Sequence, residues 1–426
     1  MRGRGLRTGM VGTAVLVTLA ISPLPALGAG GKLDSTFSGD GRVTTFPRGA
    51  TAFGLAIDAH GRILVAGYTL DGDTDLALAR FRPNGTPDPD FGGGDGRVTT
   101  DLGGTDYGFD IALGSDGRIV VAGQRDRPSG TQMAVAAYGP RGGLDHDFSG
   151  NGITFVSFDK EFQGANAVAV TENDTIVLGG STSNGESSRW ALARLRPDGS
   201  RDRNFGGDGR VTVDLSPSAE QINDLTIVAG GKIVAVGSVE SSLSPRIAVA
   251  RFQRGGPLDR TFGKKGVKIT DVANGTDTAY GVTEQTDGKL VVVGHCANGG
   301  RADWGVLRYG PNGRLDETFN GDGFRILSFG PDYEFAQASA VQPNGRIVVV
   351  GRIRRSDEDH FGVVRLKPNG AYDQTFSKDG RVIVNFEGGD DTARDVALAD
   401  NGKIVVAGEG FDRGNRRFAV ARLLAT

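Results

Sequence analysis

The sequence predicts an all-β fold: a seven-bladed β-propeller of four-stranded antiparallel blades. A short apolar stretch rich in β-branched residues, opened by a turn residue and closed by glycine, occurs seven times. The first two copies lie 56 residues apart and all later ones 57 apart. A period of this size, repeated this often, is typical of propellers and solenoids. The seven stretches are Gly61–Gly67, Gly117–Gly123, Asp174–Gly180, Gly231–Gly237, Gly288–Gly294, Gly345–Gly351 and Gly402–Gly408.

One unit, residues 279–328, shows how the strands follow one another. Its predicted strands are Ala279–Glu284, Lys289–His295, Trp304–Tyr309 and Phe324–Phe329. Short segments rich in Gly, Asn, Asp and Pro join most of them, and these residues favour tight turns. Four antiparallel strands joined by short connections make one propeller blade.

The two ends of the chain predict how the ring closes. The last unit has three strands, Ala393–Leu398, Lys403–Gly408 and Phe418–Leu423. The N-terminal strand Arg42–Phe46 would supply the missing fourth strand, which gives a three-plus-one closing blade. Closure of this kind removes exposed strand edges. The alternative, an open β-solenoid, would leave both partial units unpaired.

The repeat resembles a known family. Its pattern is A-x-x-x-D-G-K-I-V-V-A-G, followed by F-A-V-A-R-L-x-P-N-G-x-L-D-x-x-F-x-G-D-G-K-V. This pattern is similar to the delta-60 repeat family of bacterial propeller-like proteins, and it covers residues 32–423. The resemblance implies a β-propeller fold but no catalytic residues, because the family has no agreed function. Two units depart from the pattern, at Ala137 and at Asn173–Thr175.

Residues 1–28 predict a cleaved signal peptide. Three arginines within the first seven residues precede an apolar run, Met10–Ile21, and a small-residue cleavage site at Ala26–Gly28. The alternative is an N-terminal membrane anchor. After cleavage, residues 29–426 would form one seven-bladed propeller, secreted to the extracellular space. No later apolar stretch approaches the ~20 residues needed to cross a bilayer, and Cys296, the single cysteine, has no partner for an intrachain disulfide.

Composition narrows the range of partners. A formal net charge of −3 argues against a nucleic-acid-binding surface. The 69 glycines suit a fold in which many tight turns alternate with short strands. We therefore expect an extracellular protein or glycan as the partner, no nucleic acid, and a monomeric protein.

A repeated arginine, phenylalanine and aspartate are predicted to be structural. The arginine ends the third strand of six units, and Ala137 takes its place in the remaining one. We expect the aspartate to cap a turn and to pair with the arginine, while the phenylalanine packs between blades. The alternative is a calcium-binding loop, which Lys265 at one ligand position disfavours. The arginines are Arg80, Arg194, Arg251, Arg308, Arg365 and Arg422. The aspartates are Asp34, Asp88, Asp145, Asp202, Asp259, Asp316 and Asp373, each three residues before a phenylalanine.

A second series of acidic residues marks the entry to the predicted innermost strand. We expect these side chains at the mouth of the central channel, where clustered carboxylates would attract a cation or a basic group. The alternative is hydrogen bonding to nearby turn amides together with ordinary solvation. The acidic members are Asp106, Glu220, Asp277, Glu334 and Asp391, with Ala50 and Gln163 at the two other positions.

One loop offers a separate, weaker metal site. Asp71, Asp73 and Asp75 form a D-x-D-x-D stretch, whose oxygen ligands suit Ca²⁺. The stretch lacks the glycine at position six and the distal glutamate of an EF-hand loop. Apart from this possible Ca²⁺, no cofactor is expected.

The loops between the second and third strands differ from unit to unit and emerge on one face of the ring, here called the variable face. A rigid scaffold that presents dissimilar loops is a common design for recognition. The alternative is that these are unconstrained solvent loops. The loops are Tyr68–Asp75, Gln124–Gln132, Ser181–Ser188, Ser238–Arg246, His295–Asp303, Arg352–Asp359 and Glu409–Arg416.

The leading functional hypothesis is an exported, non-catalytic propeller scaffold. It would bind a protein, a glycan or a cation through the variable face and the channel mouth. The first alternative is a secreted hydrolase or lyase that acts on an extracellular polymer with channel-mouth carboxylates. The second is a structural envelope or matrix protein. The sequence contains no nucleophile elbow, zinc-peptidase pair or phosphate loop, so no catalytic residue is predicted.

Overall fold

A computed structural model describes residues 30–46, 49–158, 162–240, 244–272, 275–298, 301–330, 332–386, 388–412 and 414–426. The predicted signal peptide, residues 1–28, lies outside the described residues. Within them, 28 strands form seven four-stranded antiparallel sheets. The predicted all-β, seven-bladed propeller is therefore confirmed.

Two strands of each blade lie nearest the central channel. The innermost strands are β2 (Ala50–Ile57), β6 (Thr105–Leu113), β10 (Phe162–Val170), β14 (Glu220–Val228), β18 (Asp277–Glu284), β22 (Phe335–Val341) and β26 (Thr392–Leu398). The second strands are β3 (Ile63–Thr69), β7 (Ile119–Arg127), β11 (Ile176–Ser183), β15 (Lys232–Glu240), β19 (Leu290–Asn298), β23 (Ile347–Arg355) and β27 (Ile404–Asp412).

The other two strands complete each blade on the outside. The third strands are β4 (Asp75–Phe81), β8 (Gly130–Tyr138), β12 (Ser188–Leu195), β16 (Pro245–Phe252), β20 (Arg301–Tyr309), β24 (Glu358–Leu366) and β28 (Asn415–Leu423). The outermost strands are β5 (Arg97–Thr100), β9 (Ile153–Val156), β13 (Arg210–Val213), β17 (Val267–Thr270), β21 (Phe324–Leu327), β25 (Arg381–Val384) and β1 (Arg42–Thr45). The only helical element of the described chain is a 3-10 turn at Ala229–Gly231.

The innermost strands contact one another in sequence around the ring, and β26 contacts β2. In the seventh blade β1 pairs antiparallel with β28, with Arg42 opposite Ala421 and Thr45 opposite Phe418. Successive antiparallel strands place the loops between second and third strands on the variable face. The turns after the innermost strands lie on the other face, here called the repeat face.

The hydrophobic core lies between the blades. The second and third strands carry apolar side chains on both sides of each sheet, so each blade buries one side against the preceding blade and the other against the next. The seven repeated phenylalanines are fully buried at these contacts. Trp190 and Trp304 are also buried, and the indole Nε1 of Trp304 donates to the carbonyl oxygen of Arg352 at 3.0 Å. No helix of the described chain is long and apolar enough to cross a membrane.

In six blades the repeated arginine and aspartate form an ion pair, with 2.7–2.8 Å between arginine Nε and aspartate Oδ2. The pairs are Arg80–Asp88, Arg194–Asp202, Arg251–Asp259, Arg308–Asp316, Arg365–Asp373 and Arg422–Asp34.

Each guanidinium also links two blades. Arg308, for example, donates to the backbone carbonyl of Pro368 in the next blade and lies 4.9 Å from the ring centroid of Phe319. Burial alone would raise the pKa of Asp316, but hydrogen bonds from Thr318 and Lys289 and the charge of Arg308 lower it to about 2. This unit of arginine, aspartate and phenylalanine holds the repeat face together.

In the second blade, a different arginine makes the contacts of the repeated arginine. Ala137 stands where the other blades have arginine, and Arg118 takes over both contacts. Its Nε lies 2.7 Å from Oδ2 of Asp145, and its Nη1 donates to the carbonyl oxygen of Pro197 at 2.5 Å. The missing arginine is therefore replaced in space by one from the start of the second strand.

Candidate functional site

Every innermost strand contains a β-bulge at the same place. In β18 the register shifts between Ala279 and Gly281, so that Tyr280 is the extra residue. A bulge bends the strand and turns the extra side chain to a new direction. The residue of the second strand that lies opposite the bulge must have no side chain, because a Cβ at Gly294 would overlap the carbonyl oxygen of Thr278. The equivalent clash occurs in all seven blades, which explains why glycine closes each apolar stretch.

The seven bulge residues line one cavity in the central channel, with a volume of about 310 Å³. They come from seven different blades, yet all of them reach this space. We call them the bulge ring: Phe53, Phe109, Asn166, Asn223, Tyr280, Gln337 and Arg394.

The cavity lies in the half of the channel nearer the variable face. None of its lining residues comes from the last three positions of an innermost strand, where the chain turns at the repeat face. Gln221, which also lines the cavity, is the second residue of β14 and therefore lies near the variable-face end. The cavity therefore lies nearer to the dissimilar loops than to the turns of the repeat face.

Three aspartates follow the bulge residue directly and complete the wall: Asp110, Asp224 and Asp395. Each carboxylate joins two blades. Oδ1 of Asp224 accepts from the amide of Leu225 at 2.7 Å, and Oδ2 accepts from the amide of Val282 in the next blade at 2.7 Å. The other two aspartates have the same geometry. The remaining four blades have glycine or alanine at this position.

Burial raises the pKa of all three carboxylates. It raises the pKa of Asp224 to about 7 and that of Asp395 to about 6, against backbone hydrogen bonds that lower both. Burial also raises the pKa of Asp110, and the charges of Asp224 and Asp395 add to the effect. Protonation would therefore change the charge of the cavity near neutral pH.

Aromatic rings cover the wall formed by the first two blades. The ring centroids of Phe53 and Phe109 lie 5.5 Å apart, edge to face. Phe109 is stacked at 5.9 Å on Tyr107, which meets Tyr68 at 4.9 Å. Aromatic pairs at such distances stabilise one another beyond the area they bury, so these four side chains form a preorganised apolar surface.

A second ring cluster lies across the channel, in the fifth and sixth blades. His295 lies between Tyr280 and Phe335, with centroid distances of 5.6 and 5.0 Å. Burial lowers the pKa of His295 to about 4, which leaves the imidazole neutral at physiological pH. The guanidinium of Arg352 lies 4.5 Å from the centroid of Phe335.

Arg394 is the one cation of the bulge ring. Its Nη2 donates to Oε1 of the buried Glu409 at 2.8 Å, and its guanidinium lies 5.0 Å from the centroid of Phe53. This pairing fixes the arginine at the boundary between the seventh blade and the first, beside the aromatic wall.

The five carboxylates predicted for the channel mouth lie instead in the junctions between blades, and none lines the cavity. All are buried, and each accepts a hydrogen bond from a backbone amide four or five residues earlier, in the turn that leads into its strand. The hydrogen bonds match the first half of the alternative interpretation, but the carboxylates are buried rather than solvated. The amide–carboxylate distances are 2.6 Å for Asp106, 3.0 Å for Glu220, 2.6 Å for Asp277, 2.9 Å for Glu334 and 2.8 Å for Asp391.

The bulge explains why the residues that line the cavity were not selected from the sequence. The residues that reach the cavity stand three and four places after each predicted carboxylate, and an unbroken strand would send only one of the two towards the channel. A usable signal was present: one position of the repeat carries phenylalanine, tyrosine, carboxamides and arginine among otherwise uniform strand residues.

The predicted Asp71, Asp73 and Asp75 loop does not gather around one point. Asp71 and Asp73 are exposed, while Asp75 begins β4 and is partly buried. Carboxylate oxygens of Asp75, Asp101 and Asp106 lie within 4.8 Å of one another. The structure thus brings together one residue from each of two predicted sites, together with Asp101, which the sequence analysis did not select.

Six segments of the chain match the model of a family described as "Domain of unknown function (DUF5122) beta-propeller": residues 61–91, 172–205, 231–262, 285–319, 342–376 and 400–426. The chain is a seven-bladed propeller whose repeats are similar to that family. The first five segments end at the repeated phenylalanine. The second blade, in which Ala137 replaces the arginine, has no matching segment. No curated protein matches the sequence closely enough to count as a relative.

The solved structures with a similar fold have little sequence identity to this chain. A catalytically inactive virginiamycin B lyase from Staphylococcus aureus, solved with quinupristin, is 9% identical, with a TM-score of 0.48 over 89% of this chain and 98% of that chain. The polysaccharide lyase Uly1 is 10% identical, with a TM-score of 0.48 over 89% and 90%. A gluconolactonase from Xanthomonas campestris is 12% identical, with a TM-score of 0.41 over 92% and 95%. Likeness at this level carries no argument about ligand or chemistry.

Proposed function

We propose that this protein is an exported, non-catalytic propeller that binds a segment of an extracellular glycan through the bulge ring and the adjoining variable face. One observation carries the proposal. Seven residues of different chemistry, one from each blade, converge on one cavity of about 310 Å³ while the strands around them are nearly uniform. A volume of this size suits a small ligand or one unit of a polymer.

The chemistry of the cavity favours a polyhydroxylated ligand. Carboxamides both donate and accept hydrogen bonds, as hydroxyl groups do, and Asn166, Asn223, Gln221 and Gln337 all line the cavity. The face of an aromatic ring carries partial negative charge and attracts C–H groups. A sugar ring presents hydroxyl groups at its edge and C–H groups on its faces, so it could use both kinds of side chain.

The aromatic wall and the carboxamides are already in place. Asn166 and Asn223 each donate through Nδ2 to a carbonyl oxygen of the next blade, at 2.8 and 2.7 Å. Oδ1 of Asn223 accepts from Nε2 of Gln221 at 2.7 Å, whereas the carboxamide oxygen of Asn166 has no donor among the described residues and could accept from a ligand hydroxyl. Side chains held in this way lose little conformational freedom on binding, which favours affinity.

The hydrolase or lyase alternative has one supporting observation. Asp224 and Asp395 have raised pKa values of about 7 and 6 within one cavity, as general acids require. Both oxygens of each carboxylate, however, already accept hydrogen bonds from backbone amides. We therefore assign these aspartates to the connection of neighbouring blades and favour binding over catalysis.

A glycan array probed with the mature protein tests the proposal. Retained oligosaccharides are then titrated against the parent protein and two variants, Phe109→Ala and Gln337→Ala, by calorimetry. We expect each variant to bind at least about tenfold more weakly, because it removes part of the cavity wall without touching the repeat face. The control is Phe162→Ala, which removes an exposed aromatic ring at the start of β10, outside the cavity lining.

Two results would count against glycan binding in the channel. One is the absence of any retained glycan; the other is an equal loss of affinity in Phe162→Ala and Phe109→Ala. Release of reducing ends or unsaturated products from a bound oligosaccharide, abolished by Asp224→Asn, would instead support the enzyme alternative.

A further inference from the structure

The junction between the first and second blades carries a group of three carboxylates. Asp75 begins β4, Asp101 follows β5 directly, and Asp106 is the second residue of β6. Side-chain oxygens of all three lie within 4.8 Å of one another. The group therefore joins the third and outermost strands of one blade to the innermost strand of the next.

Only one of the two carboxylate oxygens of Asp106 has a hydrogen-bond donor among the described residues. Its side chain is fully buried, and only Oδ2 has a hydrogen bond, from the amide of Leu102 at 2.6 Å. Oδ1 is buried and has no hydrogen-bond partner among the described residues. A buried carboxylate with an unpaired oxygen and two carboxylate neighbours is unfavourable in its ionised form, and either a proton or a bound cation can neutralise it.

Two equivalent junctions have an arginine at the position of Asp75, paired with the aspartate at the position of Asp101. Between the third and fourth blades, Arg189 occupies the position of Asp75 and lies 3.2 Å from Asp214, which occupies the position of Asp101. Between the fourth and fifth blades, Arg246 lies 3.1 Å from Asp271 in the same way. In these junctions the chain supplies its own cation. In the first junction an aspartate replaces the arginine.

Two arginines of the described chain lie near the group without forming an ion pair with it. Arg125 donates to the carbonyl oxygen of Leu102 at 2.8 Å and to Gln132 Oε1 at 2.8 Å, and its guanidinium lies 3.6 Å from the centroid of Phe155. Arg127 is exposed and borders a small cleft with Asp73, Asp101 and Asp126. Among the described residues neither arginine forms an ion pair with the three carboxylates.

We propose that Asp75, Asp101 and Asp106 bind one divalent cation, with Ca²⁺ preferred, at the junction of the first and second blades. An all-oxygen ligand set favours Ca²⁺, Mg²⁺ or Mn²⁺ over zinc or copper. Calcium lies about 2.3–2.6 Å from its oxygen ligands, so one ion can bridge oxygens roughly 5 Å apart. Magnesium, at about 2.0–2.1 Å, would require them to lie closer. The ion would fix the strand that carries Tyr107 and Phe109, and this proposal does not depend on glycan binding.

The test measures thermal unfolding of the mature protein after dialysis against EDTA, with and without millimolar CaCl₂ or MgCl₂. We expect Ca²⁺ to raise the melting temperature by at least about 2 °C, because a ligand that binds only the folded state stabilises it. Mg²⁺ should raise it less. Asp101→Asn, which changes an exposed side chain, should remove the response to Ca²⁺.

A second variant imitates the other junctions. Asp75→Arg should also abolish the response to Ca²⁺, and it should melt at a higher temperature than the parent protein in EDTA, because the arginine replaces the ion. The matched control is Asp214→Asn, which removes the equivalent of Asp101 from a junction that already contains an arginine. This control should respond to Ca²⁺ as the parent does.

Two outcomes would contradict the proposed cation site. One is an unchanged melting temperature of the parent protein in Ca²⁺; the other is an equal rise of the melting temperature in the parent and in Asp101→Asn. If Asp75→Arg does not fold, the contrast between Asp101→Asn and Asp214→Asn still decides. Calorimetric titration with CaCl₂ gives a second readout: one site in the parent protein and none in Asp101→Asn.

Discussion

At the scale of single residues, the same side-chain type has different roles according to where the strand places it. Asp316 and Asp224 are both partly buried aspartates. An arginine, a lysine and a threonine lower the pKa of Asp316 to about 2, whereas burial in the channel wall raises that of Asp224 to about 7. Arg308 and Asp316 hold the repeat face together, and Asp224 lies in the wall of the proposed binding site.

Arg308→Ala tests the role of the repeated arginine. Arg308 is 4% exposed, and its removal takes away one of the two cations paired with Asp316 and leaves the carbonyl of Pro368 without a donor. We expect a loss of about 2–4 kcal/mol in the free energy of unfolding, more than the ~0–1 kcal/mol of a surface ion pair. Denaturant unfolding measures it. The exposed Arg314→Ala is the control and should cost less than ~0.5 kcal/mol. A similar small loss in both variants would refute the structural role of the pair.

At the scale of strands, the sequence predicted the elements well and their side-chain directions less well. The type unit was predicted to have a third strand over Trp304–Tyr309, and the structure has Arg301–Tyr309. Period and composition are enough to locate such strands. They do not determine the bulge at Tyr280, because a bulge depends on how two strands pair, and the tight packing opposite it arises only after folding.

The N-terminal strand provides a test at this scale. Deleting residues 29–47 would remove β1 and expose the edge of β28. It would also remove Asp34, the ion-pair partner of the buried Arg422. We expect aggregation, or a melting temperature lower by about 10 °C or more. Addition of a synthetic peptide with the deleted sequence should restore stability. A truncated protein that stays monomeric with an unchanged melting temperature would contradict closure by this strand.

At the scale of the whole molecule, seven similar blades produce a ring whose ends differ in chemistry. The repeat face is held by the same arginine–aspartate contacts in blade after blade. The channel near the variable face instead receives a different side chain from most blades. The sequence could predict the ring because repetition is visible in one dimension. It could not predict the convergence of Asp75, Asp101 and Asp106, since that depends on how two blades meet.

The two classes of buried carboxylate predict an unusual pH dependence of stability. Glu220, Glu334 and Asp224 have pKa values raised to about 7, so the folded state holds more protons than the unfolded state between about pH 4 and 7. The free energy of unfolding should therefore fall as the pH rises through this window. Asp316 has a lowered pKa, so its contribution is complete above about pH 4 and is lost as the pH falls towards 2.

Maximal stability is consequently expected near pH 4–5, measured as the melting temperature in EDTA-treated buffer from about pH 2 to 8. Glu334→Gln should flatten the decline between pH 5 and 7, because it removes one raised pKa. A melting temperature that rises steadily from pH 4 to 8 would show that these carboxylates are not buried as described.

A crystal structure of the mature protein, soaked with an oligosaccharide retained on the array, tests directly whether the channel binds glycan. We expect a sugar ring in the channel cavity, in contact with Phe53 or Phe109 on one side and with the carboxamides of Asn223 or Gln337 on the other. Binding confined to the outer loops of the variable face, with the bulge ring untouched, would contradict this expectation.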